Sequence, residues 1–235
     1  MKKKKSKKGF FLCESFLMPE LNRAECLLMS WLIAKVRVAE QKRKEQRSML
    51  PKGQLEPQMI DKYFVLFSEA RIKKTFTFFS KMTLKRAVYK LEELKFITTT
   101  TYENRRYAKV NVKKLSNISG GLPDNRNSVV DWCENHFEKR RSPYFKIYEK
   151  SIHHFENADE VIMYWWVMNR LREKTEVLCG REMLKKFLGM GYDKQNTTIK
   201  RLQAKGMIQR QLKQVSTGKL VYNTRYLAIP AKKSK

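Results

Sequence analysis

The residue types able to do chemistry in this chain are few, and their spacing excludes most of it. The soft ligands and nucleophiles are three histidines (His136, His153, His154) and four cysteines (Cys13, Cys26, Cys133, Cys179). No C-x-x-C and no H-x-x-x-H occurs, so the paired spacing of a zinc site is missing and no metal is expected. His153-His154 is an adjacent pair whose side chains would diverge on a strand, which also argues against a metal role. Cleavage and joining of nucleic acid would need clustered carboxylates, or an H-x-H pair with a nearby tyrosine. Neither pattern is present, so no enzymatic activity and no cofactor are expected. The scattered cysteines read as reduced, half-buried thiols of a cytosolic protein. Tyr164, Trp165 and Trp166 could stack on single-stranded bases. They share a helical stretch with Ile162, Val167 and Leu171, and so read as core.

What remains is charge. Lys and Arg number 51 against 23 Asp and Glu, a net +28 over 235 residues. Such a surplus calls for a polyanion, and nucleic acid is the commonest one. Lysines at 2, 3, 4, 5, 7 and 8 form a basic tail (1–8). Lys232, Lys233 and Lys235 form another (231–235), and Lys42, Arg43, Lys44 and Arg47 a third cluster. Tails of this kind serve solubility as readily as binding. No run of about 18 uncharged apolar residues exists, so no membrane span is expected. No apolar core with a cleavage site follows the basic start, so the expected location is cytoplasmic, on the nucleoid if the partner is DNA.

The elements that must position this charge occur twice. A shift of 135 aligns Phe10–Ile33 with Phe145–Met168, matching Glu14 to Glu149, Asn22 to Asn157, Glu25 to Glu160 and Trp31 to Trp166. A shift of 111 aligns Val88–Ile97 with Ile199–Ile208. The difference implies an insertion of about 24 residues within 35–62 of the first copy. Each copy opens on an extended apolar piece (Phe10–Leu17, Phe145–Ile152). Asn-x-x-Glu follows, a capping-box arrangement, then a long helix, Arg23–Val38 or Ala158–Arg172.

Downstream, Tyr63–Phe67 reads as a strand, and Ser68 and Ser80 as caps of helices ending near Thr75 and Leu94. In the second of these, Leu84, Ala87, Val88, Leu91 and Leu94 make one apolar stripe. Phe96–Thr101 and Arg106–Val112 form a hairpin. In the second copy Arg181–Leu188 is a short helix ended by Gly189, and Asp193 caps a helix to about Lys205. Met207–Gln214 and Leu220–Ile229 are its hairpin. The expected fold class is therefore mainly α with small β-hairpins (α+β).

Helix, short helix, turn, helix and basic hairpin in that order resembles the winged helix-turn-helix domain, carried by Ser80–Ile97 and Asp193–Ile208. Lys95 stands where Gly206 stands in the second copy. The resemblance implies two tandem winged-helix domains from an internal duplication, at 9–115 and 128–230. A linker at 116–127 joins them, and the helix at 128–141 has no assigned place. It also implies recognition helices whose N-terminal residues face base edges. These are Lys81, Met82, Thr83, Lys85, Arg86 and Tyr89 in the first, and Lys194, Gln195, Asn196, Thr197, Lys200 and Arg201 in the second. Arg86, Gln195, Asn196 and Arg201 are the expected specificity residues. The wing residues Arg105, Arg106, Lys109, Lys213 and Lys219 would hold phosphate. A solvated basic face accounts for any one of these residues equally well; it is the duplicated set that points to DNA.

Paired winged helices on one basic chain resemble plasmid and phage replication initiators and phage replisome organisers. That implies specific binding of double-stranded DNA, with helicase, primase or other replisome proteins as partners. A transcription regulator would use the same contacts. A charge-driven RNA- or single-strand-binding protein, and a protein–protein adaptor, are the other readings.

Overall fold

The computed structural model describes residues 9–49, 65–119, 128–138, 144–171, 176–214, 218 and 220–226. The tails, residues 50–62 of the insertion, 120–127 of the linker and Lys219 lie outside the described residues. The chain is mainly helical with small antiparallel sheets, and one order of elements occurs in each half. The first half runs β1 (Phe10–Glu14), a 3₁₀ turn (Ser15–Leu17), α1 (Arg23–Met49), β2 (Val65–Leu66), α2 (Glu69–Thr75), α3 (Lys81–Glu93), β3 (Ile97–Tyr102) and β4 (Arg105–Val110). Two linking helices follow, α4 (Val112–Ile118) and α5 (Val129–Glu138). The second half runs β5 (Tyr144–Tyr148), a 3₁₀ turn (Glu149–His154), α6 (Ala158–Leu171), β6 (Glu176–Leu178), α7 (Arg181–Leu188), α8 (Tyr192–Ala204), β7 (Ile208–Gln214) and β8 (Leu220–Tyr226). The sheets have matching orders, β2-β4-β3 and β6-β8-β7.

The sequence registers are also structural registers: α6 begins 135 residues after α1, and α8 and β7 begin 111 after α3 and β3. Equivalent residues make equivalent contacts. Trp31 meets Phe76 edge-on at 6.2 Å, and Trp166 meets Phe187 at 6.1 Å. The Lys35 ammonium lies 5.4 Å from the Trp31 ring, and the Arg170 guanidinium 4.9 Å from Trp166. Both long helices start on the expected Asn cap, and the returning Glu side chain accepts from the Asn22 amide in the first half and from the Glu156 amide, one residue earlier, in the second. The Asn22 side-chain oxygen accepts from the Glu25 amide at 3.1 Å, and Asn157 does the same for Glu160 at 3.0 Å. Tyr164, Trp165 and Trp166 are buried core, as are Phe76 and Phe79.

The halves meet through their own equivalent parts. β1 and β5 pair antiparallel, Phe10 opposite Tyr148 through Glu14 opposite Tyr144, so the same strand of each half is joined about its centre. Helices α1 and α6 pack together, and Arg23 bridges to Asp159 at 3.0 Å. The opening segments reach across as well. The turn Glu149–His154 packs on α2, and the end of α7 at Gly189 lies beside the Met18 carbonyl. The relation is a local two-fold, the arrangement of an isologous pair within one chain.

Several expectations are corrected. Helix α1 continues to Met49 rather than stopping near Val38, taking residues 39–49 from the supposed insertion. The stretch after Val38 is rich in Glu, Gln, Lys and Arg, all good helix formers, and the extension is braced by α5. The Glu40 carboxylate accepts from the amides of Val129 (3.2 Å) and Val130 (2.9 Å) and from the Ser128 hydroxyl (3.1 Å). Lys44 pairs with Asp131 at 2.9 Å. That places the helix at 129–138, which sequence alone left unassigned. Residues 116–118 complete α4 instead of beginning a linker.

Asp193 is not a cap. The N-cap of α8 is Gly191, and Asp193 sits inside the first turn. His153 and His154 lie in a 3₁₀ turn, not on a strand, with ring centroids 4.0 Å apart. Lys95 does hold the left-handed conformation, φ 60°, that Gly206 holds at 66°.

Candidate nucleic-acid interface

In the first half the site is built on α3. The Ser80 hydroxyl accepts from the Thr83 amide at 3.0 Å, fixing where the helix starts. Leu84, Ala87, Val88 and Leu91 bury one face. The 3.6-residue period then leaves Lys81, Met82, Lys85, Arg86 and Tyr89 together on the opposite face, all exposed. Met82 is 57% and Tyr89 69% accessible. Large side chains standing this far into water on a folded helix have no packing role there. Thr83 is half-buried and spends its hydroxyl on Ser80. The helix has no acid in its first turn; Glu92 and Glu93 lie in its last, where Glu93 takes Lys90 at 2.8 Å. The free amides at the N-terminus and three cations therefore give this end of α3 a positive potential.

The hairpin beside it turns through Glu103 (φ 46°) and Asn104 (φ 58°), two left-handed residues matching a type I′ loop. Arg105 is exposed at its tip and Lys109 half-buried along it. Arg106 donates to the Thr99 hydroxyl at 2.9 Å and reaches Glu92 at 3.4 Å. It ties the hairpin to the end of α3, besides offering charge to solvent.

The second half uses the same framework with different side chains. Counted from the helix start, Lys81, Met82, Lys85, Arg86 and Tyr89 correspond to Tyr192, Asp193, Asn196, Thr197 and Lys200. Gln195, expected to read a base, is 0% exposed. It occupies the position of buried Leu84, and its amide nitrogen donates to the carbonyls of Met190 (2.7 Å) and Arg181 (3.0 Å). An amide spent holding a turn in the core has no access to a groove, and this expectation is corrected. Lys194 is exposed but pairs with Asp159 at 3.1 Å. Asn196 is half-buried, 3.5 Å from an Arg181 nitrogen, and the Thr197 hydroxyl donates to the Asp193 carbonyl at 2.9 Å. Lys200 and Arg201 are exposed. The side chain of Lys213, like Lys219, lies outside the described residues.

Sequence reasoning missed the cluster beside α8. The Tyr192 hydroxyl donates to Glu182, and its ring lies 6.0 Å from the Arg181 guanidinium and 5.5 Å from the Lys185 ammonium. The available signal was Arg181 and Lys185 one turn apart on α7.

Lys205 holds the C-terminal end of α8 against the start of α6 through buried Glu160 at 2.7 Å and Glu156 at 3.1 Å. The four thiols are buried rather than half-buried as expected, because each lies within the apolar core, and burial pushes Cys13, Cys133 and Cys179 up to about 12. Among the described residues no three His, Cys, Asp or Glu side chains converge as metal ligands, and no helix is long and apolar enough to cross a membrane. Comparison with protein-family models, curated proteins and solved structures returns no match.

Proposed function

We propose that the two halves are winged helix-turn-helix domains derived from one duplicated unit, and that together they bind double-stranded DNA with sequence specificity. The reading rests on one observation above the others: the exposed face Lys81, Met82, Lys85, Arg86 and Tyr89 on α3, capped at its start and flanked by a hairpin. A helix of about 10–12 Å diameter fits the major groove, and its N-terminal half faces base edges. Arg86 suits guanine O6 and N7, while Lys81, Lys85 and the wing suit phosphate. The local two-fold supports the same reading, because symmetric helix-turn-helix pairs address half-sites roughly 34 Å apart on one face of the duplex. Within this class the resemblance to plasmid and phage replication initiators and replisome organisers makes replication the assigned role.

Selection from a random duplex library at about 150 mM salt tests the binding. The expected result is an enriched motif within a footprint of about 20 base pairs, degraded by Arg86→Ala. Motifs iterated at an origin would support an initiator, whereas promoter sites would favour a transcription regulator. No enrichment, with binding that collapses as salt rises, would overturn the proposal in favour of a charge-driven coat on RNA or single strands.

A further inference from the structure

We infer that the two recognition helices divide the work: α3 reads bases, while α7 and α8 hold the phosphate backbone without selecting sequence. The inference rests on the DNA-binding reading above and goes beyond it by removing the equivalence of the two halves. On the five matched face positions α3 carries three cations and no acid, whereas α8 carries one acid, Asp193, and one cation, Lys200. The difference extends to hydrogen-bonding capacity. Lys81, Lys85 and Arg86 make no ion pair or hydrogen bond through their side chains with the described residues; Glu69, bonded to Lys73, acts on Lys81 and Lys85 only through space.

Three of the five corresponding groups of α8, Tyr192, Asn196 and Thr197, are already engaged. Tyr192 is bonded to Glu182 beneath Arg181 and Lys185, and the Thr197 hydroxyl is bonded to its own helix. Outside the five matched positions, Gln195 is buried in the turn and Lys194 is paired to Asp159. Base discrimination needs donors and acceptors that point outward and lose something with the wrong base; a satisfied side chain provides no such penalty. The exposed charges that α7 and α8 do offer, Lys185, Lys186, Lys200 and Arg201, lie on α7 and toward the C-terminal half of α8. In helix-turn-helix docking the first helix crosses the backbone and the N-terminal residues of the second read bases. These positions are therefore suited to phosphate.

The test compares the full chain with two variants, Arg86→Ala and the double variant Lys200→Ala with Arg201→Ala, by library selection and by affinity across salt. All three positions are exposed, so folding is not at stake. The wild type is expected to give a footprint of about 20 base pairs with sequence information in one half only. Arg86→Ala should cut the preference for the selected base by about tenfold to a hundredfold. The double variant should weaken all sequences alike, keep the motif, and lower the slope of log affinity against log salt by up to about 2. If the double variant erases part of the motif, or wild-type information spreads evenly over two halves, the division of labour is wrong and specific binding stands. If the wild type enriches nothing, both readings fail.

Discussion

At the residue scale, Gln195 shows how position overrides residue type. Asn and Gln are adenine readers by chemistry, yet this amide closes the turn between α7 and α8. Gln195→Ala should cost about 1–3 kcal/mol in urea unfolding by stranding the buried Met190 carbonyl and the part-buried Arg181 carbonyl, and leave any DNA motif unchanged. An unchanged stability with an altered motif would mean that the side chain reads bases after all. Lys95 carries a smaller conflict, a residue with a Cβ held at φ 60°, a conformation that only glycine adopts without cost. Lys95→Gly should stabilise by roughly 0.5–1 kcal/mol after the added chain entropy, read from the same unfolding curves.

The thiols give a pH dependence. Cys13, Cys133 and Cys179 sit at about 12 when folded because burial disfavours the thiolate, against 9.0 when exposed. Between those values the unfolded chain gives up protons that the folded one keeps. The stability these thiols contribute is therefore full below about pH 9 and is lost as pH rises toward 12. Urea midpoints at pH 8 and pH 10 check this, and native thiols should resist alkylation at pH 8 until the chain is denatured.

At the element scale, the informative contact is the one Glu40 makes. A carboxylate on one helix caps another, taking two amides and a hydroxyl at the start of α5. Glu40→Ala should destabilise by about 1–3 kcal/mol. It should also speed hydrogen exchange at Val129 and Val130 ahead of global opening; unchanged protection there would show that α5 is held by its apolar face alone. Helix starts were legible because caps are local. Asn22, Asn157, Ser68 and Ser80 all bond amides two or three residues away. Asp193 misled for the same local reason: it is a good cap by type, but Gly191 already occupies the turn. The end of α1 was not legible, since residues 39–49 have no apolar stripe to mark them and owe their helix to propensity and to α5.

At the scale of the molecule, the halves share structure instead of being strung together. The β1–β5 pair, the α1–α6 packing and the crossed contacts at α2 and Gly189 each need both halves in place. Urea unfolding followed by tryptophan fluorescence and by far-UV circular dichroism should therefore give one coincident transition, with Trp31 and Trp132 reporting beside Trp165 and Trp166. Two separated transitions would mean that the halves are independent and the two-fold contact is incidental.

What the sequence determined by itself is whatever depends on neighbours along the chain. The caps, the apolar stripe of α3, the hairpins, the 135 and 111 registers and the strong positive charge all belong there. The α+β class with one order of elements in each half follows from those signals, because a helix period and a capping residue act over a few residues. The tertiary structure decided what depends on distant partners. It placed the strand of one half against its equivalent in the other, seated α5 on α1 through Glu40, and put Gln195 in the core while leaving Arg86 in water. A side chain's type fixes which bonds it can form. Only the fold fixes which atoms stand within 3 Å to form them, and so which residues remain free to meet a ligand.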